Sequence, residues 1–368
     1  MTKRIPISTS TLLYYIEQSN VPIGLLQENI PNFDNFLSGE KLPTYTQIEK
    51  ISKLIKIPVG LLVLDKTVDV NTQRLSFRTL KSREISIMSA ELRDTIIEMQ
   101  EKQSFLQDQI DEDLSITNTQ LFKTTDHLII TEYIRRELGI PINHIPDSKD
   151  DPIRYFRDKI SSVGIFVFFN GKVKDNTHRP LNPNEFRGFS LNNSKAPIIF
   201  VNQKDSRNAQ LFTLIHELVH LFIDNEGISN KDEQSDYSHT GIEALVNRVT
   251  AEILVPKLLF ERENTLNIEE LANKYRVSRY VIARRLLDSG KINKTQYNNI
   301  ILLMESEAPS QRQSTGGSYS NNIRFRIDKT FFHFVHNAIM QDQVSYTEAF
   351  RLIGTGYKGF KILEKSLK

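Results

Sequence analysis

The chain has 368 residues, 25% of them charged and 39% hydrophobic, with 47 Lys and Arg against 45 Asp and Glu for a net charge of +2. That balance excludes a disordered chain, leaves room for two or three domains of about 100–200 residues each, and argues neither for nor against nucleic acid. With no cysteine there is no disulfide framework and no thiolate chemistry, so any metal is held by nitrogen and oxygen.

The start, MTKRIPISTSTLLYYIEQSN, is basic but lacks a long apolar core and a small-residue cleavage site. No apolar run approaches the roughly 18–20 residues that cross a bilayer, so a cytoplasmic location and no membrane partner are expected. Residues 1–70 read as a small helical domain, with amphipathic stretches at 11–18 and 46–54 between turns marked by Pro22, Pro31, Gly39 and Pro43. Residues 71–145 read as a helical connector. Leu92, Ile96, Met99, Leu106 and Ile110 fall at helical spacings after Ser89, a candidate cap, and a second helix over 125–138 stops at Gly139.

The texture changes in 146–305. Asp151 and Pro152 open a helix that Gly164 follows, and "GIFVFFN" (164–170), "FRGFSL" (186–191) and "PIIFVN" (197–202) read as strands. Two helices follow, over 211–224 and 240–254, the second stopping before Pro256; short helices return over 266–300. The fold class expected is α+β, a small sheet packed on helices. Residues 306–322 read as a linker and 323–368 as a helical tail with eight Lys and Arg against four Asp and Glu.

The helix "LFTLIHELVHLFID" (211–224) is nearly continuous oil except for His216, Glu217 and His220. A buried polar group without a partner costs roughly 1–3 kcal/mol, a charged one more. The spacing supplies the partner. HExxH sets both imidazoles on one helical face toward one ion, with the glutamate beside it. A catalytic zinc takes a third protein ligand and keeps a position open for water. Glu243, early in the next helix, is the candidate; the plainer alternative is that it favours the helix N-terminus electrostatically. His239 is a rival ligand. Asn247, one turn after Glu243, is a candidate to bond a ligand histidine's other nitrogen, or else a surface residue. Tyr237 and His239 are candidate donors to an oxyanion. Asp224 reads as a solvated helix end. Two nitrogens and an oxygen suit Zn2+ and also admit Mn2+. The three-histidine extension HExxHxxGxxH is absent.

"FTLIHELVHLFI", preceded by "GFSL…APIIFVN" and followed by "IEALVNRVTAEILVP", resembles the ImmA/IrrE family of metallopeptidases over about residues 150–300. The resemblance implies a zincin-like domain, His216, His220 and Glu243 as metal ligands, and Glu217 as general base. It also matches Ala251, Glu252, Leu254 and Pro256 to the family's Ala-Glu-x-Leu-x-Pro signature; Val219 replaces a glycine often found there. Residues 1–68, notably "SGEKLPT" and "IEKISKLIKIPVGLLVL", resemble a phage-repressor helix-turn-helix domain. Yet 32–37 holds no Lys or Arg, and 1–70 balances seven basic against seven acidic residues, so docking to protein or a vestigial scaffold stands beside binding to DNA. A second two-helix pattern, 268–292, carries Arg276, Arg279, Arg284 and Arg285; in the resembled family this stretch packs on the peptidase domain. His333 and His336 suggest a second metal site, against core or surface histidines without a carboxylate. The expected function is a zinc endopeptidase cleaving a protein regulator such as a repressor or antitoxin, targeted by its helix-turn-helix module. The competing reading is a DNA-binding regulator or toxin–antitoxin component whose peptidase-like domain does not cleave.

Overall fold

The computed structural model describes residues 4–19, 21–55, 57, 59–64, 88–114, 125–142, 144–147, 150–223, 236–307 and 318–367. The chain forms two compact units, Met1–Ile97 and Glu98–Lys368.

The first unit holds α1 (Thr9–Ser19), α2 (Ile23–Asn29), α3 (Phe33–Leu37), α4 (Tyr45–Ile55) and α5 (Val59–Leu62). Its core is Leu12, Tyr15 and Ile16 of α1, Phe33 and Phe36 of α3, and Ile48, Ile51 and Ile55 of α4, each set at helical spacing. Thr44 and Gln47 start α4 reciprocally: the Gln47 N–H donates to Thr44 Oγ1 at 3.3 Å, and the Thr44 N–H to Gln47 Oε1 at 2.9 Å.

The boundary falls within α6 (Ala90–Gln109), whose first turn Ser89 caps through the Leu92 N–H at 3.1 Å. After it come α7 (His127–Glu137), capped by Asp126, and α8 (Pro152–Ser162), capped by Asp151 with Pro152 in the first helical position. Gly164, at φ 87°, then turns the chain into the sheet.

The sheet is small and mixed. β1 (Phe166–Asn170) lies parallel to β3 (Ile198–Asn202), and β2 (Gly188–Leu191) pairs antiparallel on β3's other side. Alternation sends Val167, Phe169, Ile199 and Val201 into the main core. The opposite face is aromatic: Phe168 meets Phe331 at 5.2 Å, Phe166 meets Phe334 at 6.2 Å, and Phe189 stacks on Phe200 at 5.1 Å. Helices therefore cover both faces, which is why the strands are buried almost throughout.

The main-core side carries α9 (Arg207–Ile223), α10 (Asp236–Leu254), α11 (Lys257–Glu261), α12 (Ile268–Tyr275) and α13 (Arg279–Asp288), followed by α14 (Lys294–Ser306). The tail forms α15 (Tyr319–Arg326), α16 (Lys329–Met340), α17 (Tyr346–Ile353) and α18 (Tyr357–Glu364). Helix α15 begins inside the stretch expected to be linker, of which 308–317 lie outside the described residues. The buried Asp328 carboxylate between α15 and α16 accepts the Val167 N–H at 3.1 Å, while Arg157 donates to Val167 O at 2.7 Å. These two side chains satisfy backbone groups of β1, an edge strand. Among the described residues, no helix is long and apolar enough to cross a membrane.

Candidate metal centre

Helix α9 begins from a tied-down strand end. Asn202, fully buried, donates through Nδ2 to Phe186 O at 3.1 Å and accepts the Lys204 N–H at 3.0 Å, locking the end of β3 to the approach of β2. Gln210 donates back to Gln203 O and Asp205 O, fixing the first turn of α9. From Leu211 to Ile223 nearly every residue is buried; Glu217 is 2% exposed and His220 1%.

His216, His220 and Glu243 converge. His220 Nε2 lies 3.1 Å from His216 Nε2 and 3.3 Å from Glu243 Oε1, and His216 Nε2 lies 3.5 Å from Glu243 Oε2. Among the described residues, this is the one group of three such side chains whose ligand atoms fall within 4.8 Å of one another. Two imidazole nitrogens and one carboxylate oxygen facing a common point, two of the groups in an apolar wall, fit a divalent cation of the zinc type.

Electrostatics separates the two glutamates. Burial pushes the Glu217 carboxyl up, against the pull of His216, His220 and the hydrogen bond from Ser190. Burial acts upward on Glu243 too, but its hydrogen bonds with His216 and His220, and their charges, outweigh it and hold the group down at about 2. Glu243 is thus held as an anion, while burial makes Glu217 the more basic of the two carboxyls.

Glu243 owes its position to the packing of α10. Val246, Val249 and Ile253 are buried against the main core, and the far end of the helix is held by two buried guanidiniums. Arg135 donates to Ile253 O at 2.6 Å; Arg285 donates to Val255 O and pairs with Glu252, whose carboxylate also accepts the Lys257 N–H at 2.8 Å. The signature glutamate Glu252 therefore ends α10 and clamps it to α13.

Some expected residues stand elsewhere. Asn247 is exposed and bonds to neither imidazole among the described residues, because α10 turns Val246 and Val249 inward and Asn247 falls outside that face. His216 Nδ1 is buried with no hydrogen-bond partner among those residues. Tyr237 and His239 belong to the first turn of α10 by backbone, but their side chains lie outside the described residues, as does Asp224. His336 stacks on Phe360 and its Nε2 lies 3.9 Å from Glu364, a carboxylate the sequence did not offer, while His333 is exposed; no group of three ligating side chains forms there among the described residues.

Sequence reasoning missed Ser190 and Gly188. The Ser190 hydroxyl donates to Glu217 Oε2 at 3.1 Å, and Gly188, two residues earlier on the same face of β2, lets α9 come close. The alternation of "GFSL" held that signal, since it put both residues on one face.

Residues 161–287 match the IrrE N-terminal-like domain family, Peptidase_M78, a span from the end of α8 into α13 that includes the whole triad. The chain therefore carries a domain of the family its motifs resemble. No curated protein matches the chain. Among solved structures it is similar to a Mycobacterium tuberculosis transcriptional regulator, with 17% identity over 51% of this chain and 51% of that one and a TM-score of 0.31. The chain thus spans about half the length of that regulator.

Proposed function

We propose, from the IrrE N-terminal-like domain and the convergence of His216, His220 and Glu243 beside Glu217, that the chain is a cytoplasmic zinc-dependent endopeptidase. The convergence is the observation that carries the reading. His216, His220 and Glu243 hold the ion, Zn2+ by preference and Mn2+ by the same donor set. When bound, the ion supplies Lewis-acid polarisation of a peptide carbonyl and a water acidified toward a pKa of about 7.

The chain's own residues do the rest. Glu217 takes the proton from the attacking water and returns it to the leaving amine nitrogen, a task suited to a carboxyl that burial has pushed upward. Ser190 occupies Oε2 of Glu217 and leaves Oε1 for the water. The apolar flank of α9 excludes bulk solvent. Tyr237 or His239 is our candidate donor to the oxyanion.

The substrate class in this reading is a protein regulator such as a repressor or antitoxin. The helices of the first unit serve targeting as a helix-turn-helix module. Exposed Ile23, Leu25, Leu42 and Tyr45 in that unit, together with its balanced charge, favour docking to protein over DNA.

Metal content of the purified wild type, Glu243→Ala and Glu217→Gln tests the reading. We expect about one zinc per chain, lost in Glu243→Ala and retained in Glu217→Gln. A wild type that takes up no metal when zinc is supplied refutes it.

A further inference from the structure

Among the described residues, left-handed residues join successive helices at several places, three of them Asn32 between α2 and α3, Arg276 between α12 and α13, and Gly354 between α17 and α18. Short connections of this kind build the helix-turn-helix, which presents its second helix to a DNA groove. The three pairs differ in the charge they leave free.

Helix α3 carries Asp34 and no cation. Around α12 and α13 the cations are mostly engaged. Arg285 is buried on Val255 O and Glu252, and Arg279 pairs with Glu269 at 3.3 Å and Glu307 at 2.5 Å. Arg284 pairs with Asp288 at 2.9 Å, and Lys274 with Glu263 at 2.6 Å.

Helix α18 is built differently. Gly359, Phe360 and Leu363 face the core, while Lys358, Lys361 and the C-cap Lys365 follow at i, i+3 and i+7 and so form one stripe. Lys361 is paired with Glu364 at 2.7 Å; Lys358, whose ammonium lies 5.5 Å from the centre of the Tyr319 ring, and Lys365 have no carboxylate partner among the described residues. Tyr357, 63% exposed, stands at the head of the stripe with Lys361 over its ring. The stripe rises about 10 Å along the helix axis, comparable with three base steps of about 3.4 Å on one DNA strand. The mount is stiff: Phe360 packs against Phe332 of α16 at 5.4 Å, Phe350 of α17 at 5.5 Å and Tyr346 at 5.8 Å.

We infer that α17 and α18 form a DNA-contacting element, with Lys358, Lys361 and Lys365 laid along the phosphates of a duplex and Tyr357 at the groove edge. This assignment does not depend on the peptidase reading, and it moves nucleic-acid contact from the first unit to the tail.

The test is fluorescence anisotropy of the full chain on a labelled mixed-sequence DNA duplex, in sodium chloride between about 50 and 200 mM, the range over which phosphate contacts titrate. The variants are K358Q/K361Q/K365Q, K365Q alone and K358R/K361R/K365R. Each phosphate contact contributes about 0.9 to the slope of log affinity against log salt. The triple glutamine variant should therefore lose between about 1.8 and 2.7 from the slope, the larger figure if Lys361 exchanges Glu364 for a phosphate, and bind at least about tenfold more weakly at the low-salt end, and K365Q should lose about 0.9. The arginine variant should match the wild type. Absence of wild-type binding at low salt overturns the inference. So does a slope unchanged by the glutamines, or polyglutamate binding as tightly as DNA, which would put an acidic protein on the stripe instead.

Discussion

At Gly188 β2, β3 and α9 approach closely, and alanine there should loosen the candidate metal centre without touching His216, His220 or Glu243. A Cβ on Gly188 meets Thr213 Cγ2 at 2.5 Å, the Phe200 carbonyl oxygen at 2.7 Å and Glu217 Cγ at 3.5 Å. Thr213 is short, β-branched and buried on α9, and the Phe200 carbonyl belongs to the central strand, so neither swings aside. Relief requires β2 to part from β3 or α9 to lift from the sheet. Overpacking of this kind costs about 1–3 kcal/mol, and two contacts this short, one to backbone, place Gly188→Ala at the upper end. A domain of this size loses about 2–4 °C of Tm per kcal/mol, so melting should fall by about 5–10 °C. Because α9 carries His216 and His220, zinc affinity measured against a competing chelator should fall with it. Thr213→Ser removes Cγ2 but leaves the Phe200 contact, so the double variant should recover about 1 kcal/mol. A Gly188→Ala protein that melts with the wild type, or a double variant that recovers nothing, refutes the close approach of α9 to β2.

Other outcomes follow from the buried charges. With metal removed by chelator, Glu217→Gln should melt higher than wild type at pH 8. A carboxyl raised by burial stabilises the fold below its unfolded value and loses that stability as pH rises through its folded value, so the gap should close by about pH 4. A gap independent of pH contradicts this. Arg285→Met strands Glu252 in a buried site and should cost about 3–5 kcal/mol in urea unfolding; adding Glu252→Gln should recover much of it. Burial acts upward on Asp175, but hydrogen bonds from Lys172, Tyr319 and Arg326 win and hold it below the usual carboxylate range. Its stability contribution is therefore present above about pH 4 and lost as pH falls through the folded value, so wild type and Asp175→Asn should converge in acid, read by thermal melts.

The candidate metal centre was legible to the extent that it is local. In HELVH the helical period alone sets His216 and His220 on one face, and the oil around them said they needed a partner. Glu243 was harder, since its approach depends on how α10 packs through Val246, Val249 and Ile253. The same spacing that marked Glu243 marked Asn247 equally well, and Asn247 is exposed. Periodicity says which residues share a face, but not which face the core will take.

The strands "GIFVFFN", "FRGFSL" and "PIIFVN" and the helices around them were set by apolar pattern and turn residues, which act over a few positions. Their mixed order, with β3 between β1 and β2, was not, because pairing depends on contacts far apart in the chain. That order is what brings Ser190 to Glu217 and makes a glycine necessary at 188. Likewise the basic excess of the tail was plain from composition. Only tertiary structure decided which cations are spent, burying Arg326 on Asp175 while leaving Lys358 and Lys365 without a carboxylate among the described residues. The sequence by itself determined the chemical groups and their spacing along each element. Which of them meet, and which stay free, was decided by burial of apolar faces across the whole second unit, a sum over contacts that no local stretch contains.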